Sequence, residues 1–240
     1  MEPHAGPEPI AVERTLDTAP VDAAMTPVPA IGSIMSVETR HQMAALTFDD
    51  GPDPEFTPRL LDVLDKHRAQ ATFFMVGKAA QQYPEIVARV ARSGHAIGNH
   101  SWDHPSFRTI SSRERRQQIR DCAKSLAPHE QSLFRPPYKH QTDESRRDVV
   151  ELGYRIVLWS VHADDWIEND TDRMYAQLRR QITPGSVILL HDGLWPPCDE
   201  RATDRGPMIR AVDLLLQELA NQIRFVTVPE LLRHGTPTFR

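Results

Sequence analysis

Ala44-Ala45-Leu46-Thr47-Phe48-Asp49-Asp50-Gly51-Pro52 is a short apolar run that stops in two carboxylates and a turn. The run reads as a buried strand, and Asp49 through Pro52 as the loop that ends it. Downstream, Leu60, Leu61, Val63 and Leu64 recur at helical spacing behind Thr57-Pro58, an N-cap and first-turn pair. Thr72–Val76 is a second β-rich run, bounded by Gly77. Pro84 opens a helix carrying Ile86, Val87, Val90 and Ala91, which Gly94 stops, and Ala96-Ile97 leads into Asn99-His100. Ser111 and Glu114 form a capping-box pattern for a polar helix reaching Leu126.

The second half repeats the alternation. Arg155–Ser160 reads as a strand, 171–182 as a helix, Ser186–Leu190 as the most apolar strand, 207–220 as a helix, and Phe225–Val228 as a closing strand. Strands alternating with helices predict a parallel α/β architecture. The polar signals fall where strands end: Asp49-Asp50, His100, and His191-Asp192. Chemistry gathered at the C-terminal ends of parallel strands favours a (β/α) barrel over an open sheet, although periodicity alone does not separate the two.

Composition sets the frame for this reading. With 240 residues, 40% hydrophobic and 25% charged, the chain suits one globular domain. A net charge of −5 does not suggest a nucleic-acid or anionic-membrane partner, which would favour a basic face. No apolar run is long enough to span a bilayer. Six prolines within residues 1–30 predict a Pro/Ala-rich leader over 1–40, extended or disordered, ahead of a catalytic domain over 41–235. The N-terminus lacks a basic segment followed by an apolar one, so a cytoplasmic location is the expectation, or export if a leader was removed before Met1. Cys122 and Cys198 lack metal-ligand spacing; two free thiols are expected, with a bridge between them left open.

Several groups could do chemistry. His100 and His104 stand at i and i+4, a spacing that on a helical turn would let both imidazoles reach one metal; alone, they also read as two surface histidines. No Glu follows His100 in the manner of a HExxH zincin. Asp49 and Asp50 repel if buried together and would need a cation or a shared proton; alone, with Gly51-Pro52 behind them, they read first as a turn. On an extended segment the two point opposite ways, so one can bind metal while the other stays free as a base. His191, at the mouth of an apolar strand, could donate a proton near neutral pH. Arg135 before Pro136-Pro137-Tyr138 sits on a stiff backbone, and Asp165-Trp166 sets a carboxylate beside an apolar wall.

In this order, the segments resemble the polysaccharide deacetylase family, with its NodB homology domain of the carbohydrate esterase family 4 type. Thr47–Pro52 is similar to the first motif, His100-Ser101 with His104 to the second, and Arg135–Tyr138 to the third. Asp165-Trp166 is similar to the end of the fourth, and Leu189-Leu190-His191 to the fifth. The resemblance covers roughly residues 43–232. It implies a distorted (β/α) barrel in a single domain that hydrolyses the acetamide of an N-acetylated sugar, such as an N-acetylglucosamine-containing oligosaccharide or glycan intermediate. It implies Asp50, His100 and His104 as ligands of one divalent metal, most often zinc, with cobalt or nickel as alternatives. Asp49 would be the base, held by Arg135, and His191 the acid, paired to Asp165. The Tyr138 amide would help bind the oxyanion, and Leu189 and Trp166 would enclose the acetyl methyl. No protein partner is evident.

The chain departs from the family pattern in two places. His162 replaces an acid three residues before Asp165, and Lys139-His140 stands where a small residue often follows the third motif. The loop 193–206 is rich in turn formers, and its Trp195 could stack on a sugar or sit in an incidental loop. Two rival functions stay open: hydrolysis of a non-sugar amide or cyclic imide on the same scaffold, and a catalytically silent carbohydrate-binding barrel.

Overall fold

In the computed structural model, which describes residues 31–195 and 203–240, the chain is built around strand β2 (Met43–Asp49), buried along its whole length. β2 pairs in parallel with β3 (Ala71–Met75) on one side and β8 (Val187–His191) on the other. Burial on both faces explains the unbroken apolar run that precedes Asp49. Alternate residues serve different layers. Ala44, Leu46 and Phe48 pack under the helices with Phe73, Ile188 and Leu190. Met43 and Ala45 join Phe74, Val157 and Val187 in a second cluster inside the curl of the sheet. The two-residue period therefore points Thr47 and Asp49 to the interior, together with Leu189 and His191 of β8.

The parallel sheet runs β6-β5-β4-β3-β2-β8-β7, where β4 is Ala96–Asn99, β5 Glu130–Phe134, β6 Arg155–Ile156 and β7 Val161–His162; β9 (Arg224–Phe225) pairs with the start of β2. β6 and β7 are the two edges and do not pair with each other, so the sheet curls into an incompletely closed barrel. β1 (Ile34–Glu38), paired antiparallel with β10 (Thr236–Phe239), meets Val157 on one side of the gap and Ser186 on the other. The expected domain limits of 41 and 235 thus lie inside the folded unit, because β1 and β10 fall outside both. Residues 1–30 of the expected leader lie outside the described residues.

Helices cover the outer face. α1 (Phe56–Lys66) buries Leu60, Leu61 and Leu64, each contributing about 2 kcal/mol. α3 is Pro84–Arg92, α6 Thr171–Gln181 and α7 Gly206–Leu219. α4 (Ser112–Leu126) carries the expected capping box, with both Ser111 and Glu114 bonded to the opposite backbone amide. Among the described residues, no helix is long and apolar enough to cross a membrane. Cys122 is a buried free thiol on α4, and Cys198 lies outside the described residues.

Several expectations are corrected. α1 starts at Phe56 with Glu55 at its N-cap, ahead of the expected Thr57-Pro58 start. The run 155–160 is not one strand. β6 pairs with β5 and β7 with β8, and between them the Val157 and Leu158 carbonyls accept from Arg135 while Ser160 N–H donates to Val187. At 225–228 the strand ends at Phe225, and Thr227 caps the short helix α8 (Val228–Arg233). His100–His104 is an irregular loop with positive φ at Ser101 and His104, not a helical turn. The segment between Leu126 and Arg155, left without elements by the periodicity, holds β5 and α5 (Asp143–Glu151); a short helix α2 (Gly77–Gln82) was likewise not expected.

Candidate active site

The register of the ladder lines up the strand ends. Asp49 is level with Phe74 and His191, Met75 with Asn99, and Asn99 with Phe134. His100 and Arg135 each follow their strand by one residue, so they emerge on the same rim as Asp49 and His191. This is the C-terminal edge where parallel barrels place their chemistry.

Arg135 is fully buried beneath that rim. Its Nη1 donates to Asp49 Oδ1 at 2.6 Å and Thr47 Oγ1 at 2.8 Å, its Nε to the Val157 carbonyl, and its Nη2 to the Leu158 carbonyl. The guanidinium lies 4.1 Å from the centroid of the Phe74 ring. A fully desolvated cation needs this density of partners. The result is a carboxylate at Asp49 with Oδ1 fixed and Oδ2 facing His100 Nε2 at 3.7 Å.

Asp50 would continue the outward alternation, but its φ of 73° swings it back over the rim. Its Oδ1 lies 3.4 Å from His100 Nε2 and 3.3 Å from His104 Nε2. The loop carrying the two imidazoles is held by the backbone around it. Gly77 and Lys78 at the start of α2 donate to the Ser101 and Trp102 carbonyls, and the Trp102 and Asp103 amides donate to Gln118 Oε1 of α4. Gly77 is required for this approach, because a Cβ there would stand 2.6 Å from the Trp102 ring. His100 Nδ1 bonds the Arg135 carbonyl at 2.7 Å, which leaves Nε2 aimed at Asp50. Asp50 Oδ2 accepts from the Trp195 amide at 3.1 Å.

One carboxylate and two imidazoles, all buried and with ligand atoms within 4.8 Å of one another, form a metal-binding triad. Asp50 Oδ1 is buried without a hydrogen-bond partner. Burial and the nearby histidines hold the His104 pKa down to about 4 against the pull of Asp50, so its ring nitrogen keeps a lone pair at neutral pH. Burial opposes the charge on Asp50, yet His100, His104 and His191 around it lower its pKa to about 2. A divalent cation would supply what this donor set lacks.

Across the rim, His191 Nδ1 lies 3.0 Å from Asp165 Oδ1, and its amide donates to Asp165 Oδ2. Burial works against the imidazolium, but Asp165, Asp50 and Asp49 outweigh it and raise His191 to about 9. Trp166 stands edge-on to His191 at 5.6 Å, and Leu189 is buried two residues before it on the same strand face. Tyr138, with φ of 56°, is the middle residue of the 3-10 turn Pro137–Lys139 and sets its ring 4.5 Å from that of His104.

Arg205 was not found from sequence, and Asp192, noted only as a polar signal at a strand end, was given no role there. Arg205 donates to both the carbonyl and carboxylate of Asp165. It precedes Gly206-Pro207 at the start of α7, where a cation opposes the helix dipole; that mismatch was the available signal. Asp192 accepts from Thr57 Oγ1 and is raised to about 7, mainly by burial.

Residues 36–157 match the polysaccharide deacetylase family. A peptidoglycan-N-acetylglucosamine deacetylase of Bacillus cereus is 38% identical over 203 residues, 82% of this chain and 92% of that one. The chain belongs to the polysaccharide deacetylase family. A chitooligosaccharide deacetylase of a Bradyrhizobium strain is 36% identical over 186 residues, 72% of this chain and 83% of its own. A crystal structure of a peptidoglycan N-acetylglucosamine deacetylase superimposes with a TM-score of 0.75 at 33% identity, covering 85% of this chain and 94% of that one. The chain is thus a hydrolase with the curled, NodB-type α/β barrel of this family.

Against the family pattern, His162 pairs with Asp164 at 3.0 Å and lies tilted against the Trp166 ring at 5.7 Å, while Asp165 keeps its bond to His191. Trp195, expected as a stacking platform, is half-buried and contributes its backbone amide to Asp50. Residues 196–202 of that loop lie outside the described residues.

Proposed function

We propose that this deacetylase-family hydrolase is a metal-dependent N-deacetylase that cleaves the acetamide of an N-acetylated sugar within an oligosaccharide or glycan. One observation carries the reading: the Asp50–His100–His104 triad shares a rim with two separate carboxylate pairs, Asp49–Arg135 and Asp165–His191. An amide needs an activated water, a stabilised oxyanion and a protonated leaving amine, and each need has its own group here. The relatives named above act on N-acetylated sugars, which supports the substrate class.

A divalent cation held by Asp50, His100 and His104, zinc by preference for one oxygen and two nitrogen donors with cobalt or nickel as substitutes, would acidify water and polarise the acetyl carbonyl. Asp49 then accepts the water proton at Oδ2, because Arg135 occupies Oδ1. The water oxygen bonds to the carbonyl carbon, and the backbone N–H of Tyr138 donates to the oxygen on which charge collects. His191, its Nδ1 held by Asp165, delivers a proton from Nε2 to the amine nitrogen as the C–N bond breaks, leaving acetate and a free amino sugar. Leu189 and Trp166 wall the space for the methyl group. Arg205 positions Asp165 and, through it, the acid.

Acetate release from N-acetylglucosamine, chitooligosaccharides of rising length, an O-acetylated sugar and simple amides tests the reading, with Asp49→Asn as control. Metal-dependent release from the N-acetylated sugars, lost in the control, is expected. Turnover of simple amides with none on any sugar would overturn the substrate class.

A further inference from the structure

A hollow of about 260 Å³ lies beside the rim, lined by Arg108, Lys139, Gln141, Arg146, Leu158 and Arg240. Four of the six carry cationic side chains and none an acidic one, in a chain whose net charge is −5. The hollow adjoins the catalytic machinery. Leu158 lines it while its carbonyl accepts from Arg135 Nη2, and Lys139 directly follows Tyr138. The Lys139 ammonium lies 5.0 Å from the centroid of the Trp159 ring, and the Arg135 guanidinium lies 5.7 Å from the same ring.

Like charges gathered in one hollow repel unless something neutralises them. Arg146 reaches Asp143 through Nη2, but its Nε is buried without a hydrogen-bond partner. Burial and the charge of Arg240 hold the Lys139 ammonium below its ordinary range, the direction expected for a cation short of a counter-charge. Gln141 is tied to Ser33 through its amide, which holds this part of the lining in place. Guanidinium forks bind carboxylate and phosphate oxygens in pairs, and they do so best when already gathered.

We propose that this hollow is an anion subsite that receives a carboxylate or phosphate substituent on the sugar chain while the acetamide lies at the triad. The inference rests on the deacetylase reading and adds that the preferred substrate is an anionic glycan. Lys139, where a small residue often follows this motif, becomes a determinant of specificity.

The test compares matched N-acetylated oligosaccharides of one length: neutral, bearing one lactyl carboxylate, and bearing one phosphomonoester. Binding to the metal-loaded Asp49→Asn protein is measured by calorimetry, so turnover is not needed, and KM is measured on the wild type. The anionic sugars are expected to bind about tenfold tighter than the neutral one, with the advantage shrinking as salt rises. In Arg108→Gln/Arg146→Gln the advantage should disappear while the neutral sugar keeps its affinity within about twofold. Arg108→Glu should invert the preference, which a purely structural role for the arginine would not do. Preference for only one of the two anions would still support the subsite and identify its ligand. Equal binding of all three sugars by the wild type, or equal loss on all three in the double variant, would overturn it. Absence of turnover on every sugar, with the binding preference intact, would instead count against the deacetylase reading.

Discussion

At the scale of single residues, the site works by assigning each oxygen and nitrogen one task. Arg135 takes one oxygen of Asp49 and leaves the other; Asp165 takes one nitrogen of His191 and leaves the other. The His191 assignment has a pH consequence. Its protonated form is the donor, and a pKa raised to about 9 keeps that form through neutrality and loses it as pH rises through that value. A cation at the triad would offset the Asp50 and Asp49 charges that help raise it, so the alkaline limb of kcat is expected at or below about 9. His191→Gln should remove the limb and lower kcat about 10²- to 10⁴-fold. A limb unchanged in that variant would place the acid elsewhere. Asp49 and His191 were legible because each ends an apolar run, whereas Arg135 and Asp165 took their roles from the family resemblance. Arg205 escaped because it reaches Asp165 from the start of a helix 40 positions along the chain, and local pattern carries no such pairing.

At the scale of elements, loops do the positioning and their geometry was the least legible part. Spacing placed His100 and His104 together, but the means is a loop hydrogen-bonded to α2 and α4, and α2 itself was missed because six residues carry little periodicity. β5 was missed because Glu130, Gln131 and Ser132 dilute its apolar end at Leu133-Phe134. The turn after β2 shows how tightly these loops interlock. A Cβ on Gly51 would stand 2.6 Å from Asp192 Cγ, and Asp192 is fully buried against Thr57 beside His191. Gly51→Ala is therefore expected to displace Asp192 and with it the acid. Thermal unfolding should show a loss of about 1–3 kcal/mol, and kcat should fall more than KM rises. A variant with wild-type stability and kcat would show that the two loops can separate without cost.

At the scale of the whole molecule, parallel order brings distant segments to one rim. Asp49 and His191 share a level on adjacent strands although 142 positions separate them. Alternation of strand and helix revealed this class of fold, and the strand ends indicated a barrel. The incomplete closure, with β1 and β10 spanning the gap, was hidden because Ile34–Glu38 and Thr236–Phe239 are short and lie at the margins of the pattern. The rim is the product of the entire sheet, so its central property is that metal and turnover belong to one site. The most direct measurement titrates zinc into stripped protein and follows bound metal and acetate release from a chitooligosaccharide in the same samples. One zinc per chain, with acetate release rising in proportion and saturating at the same point, is the predicted result; His104→Ala should lose both together and Asp49→Asn only the second. Full acetate release from stripped protein, or zinc bound at unchanged stoichiometry and affinity by His104→Ala, would contradict the account.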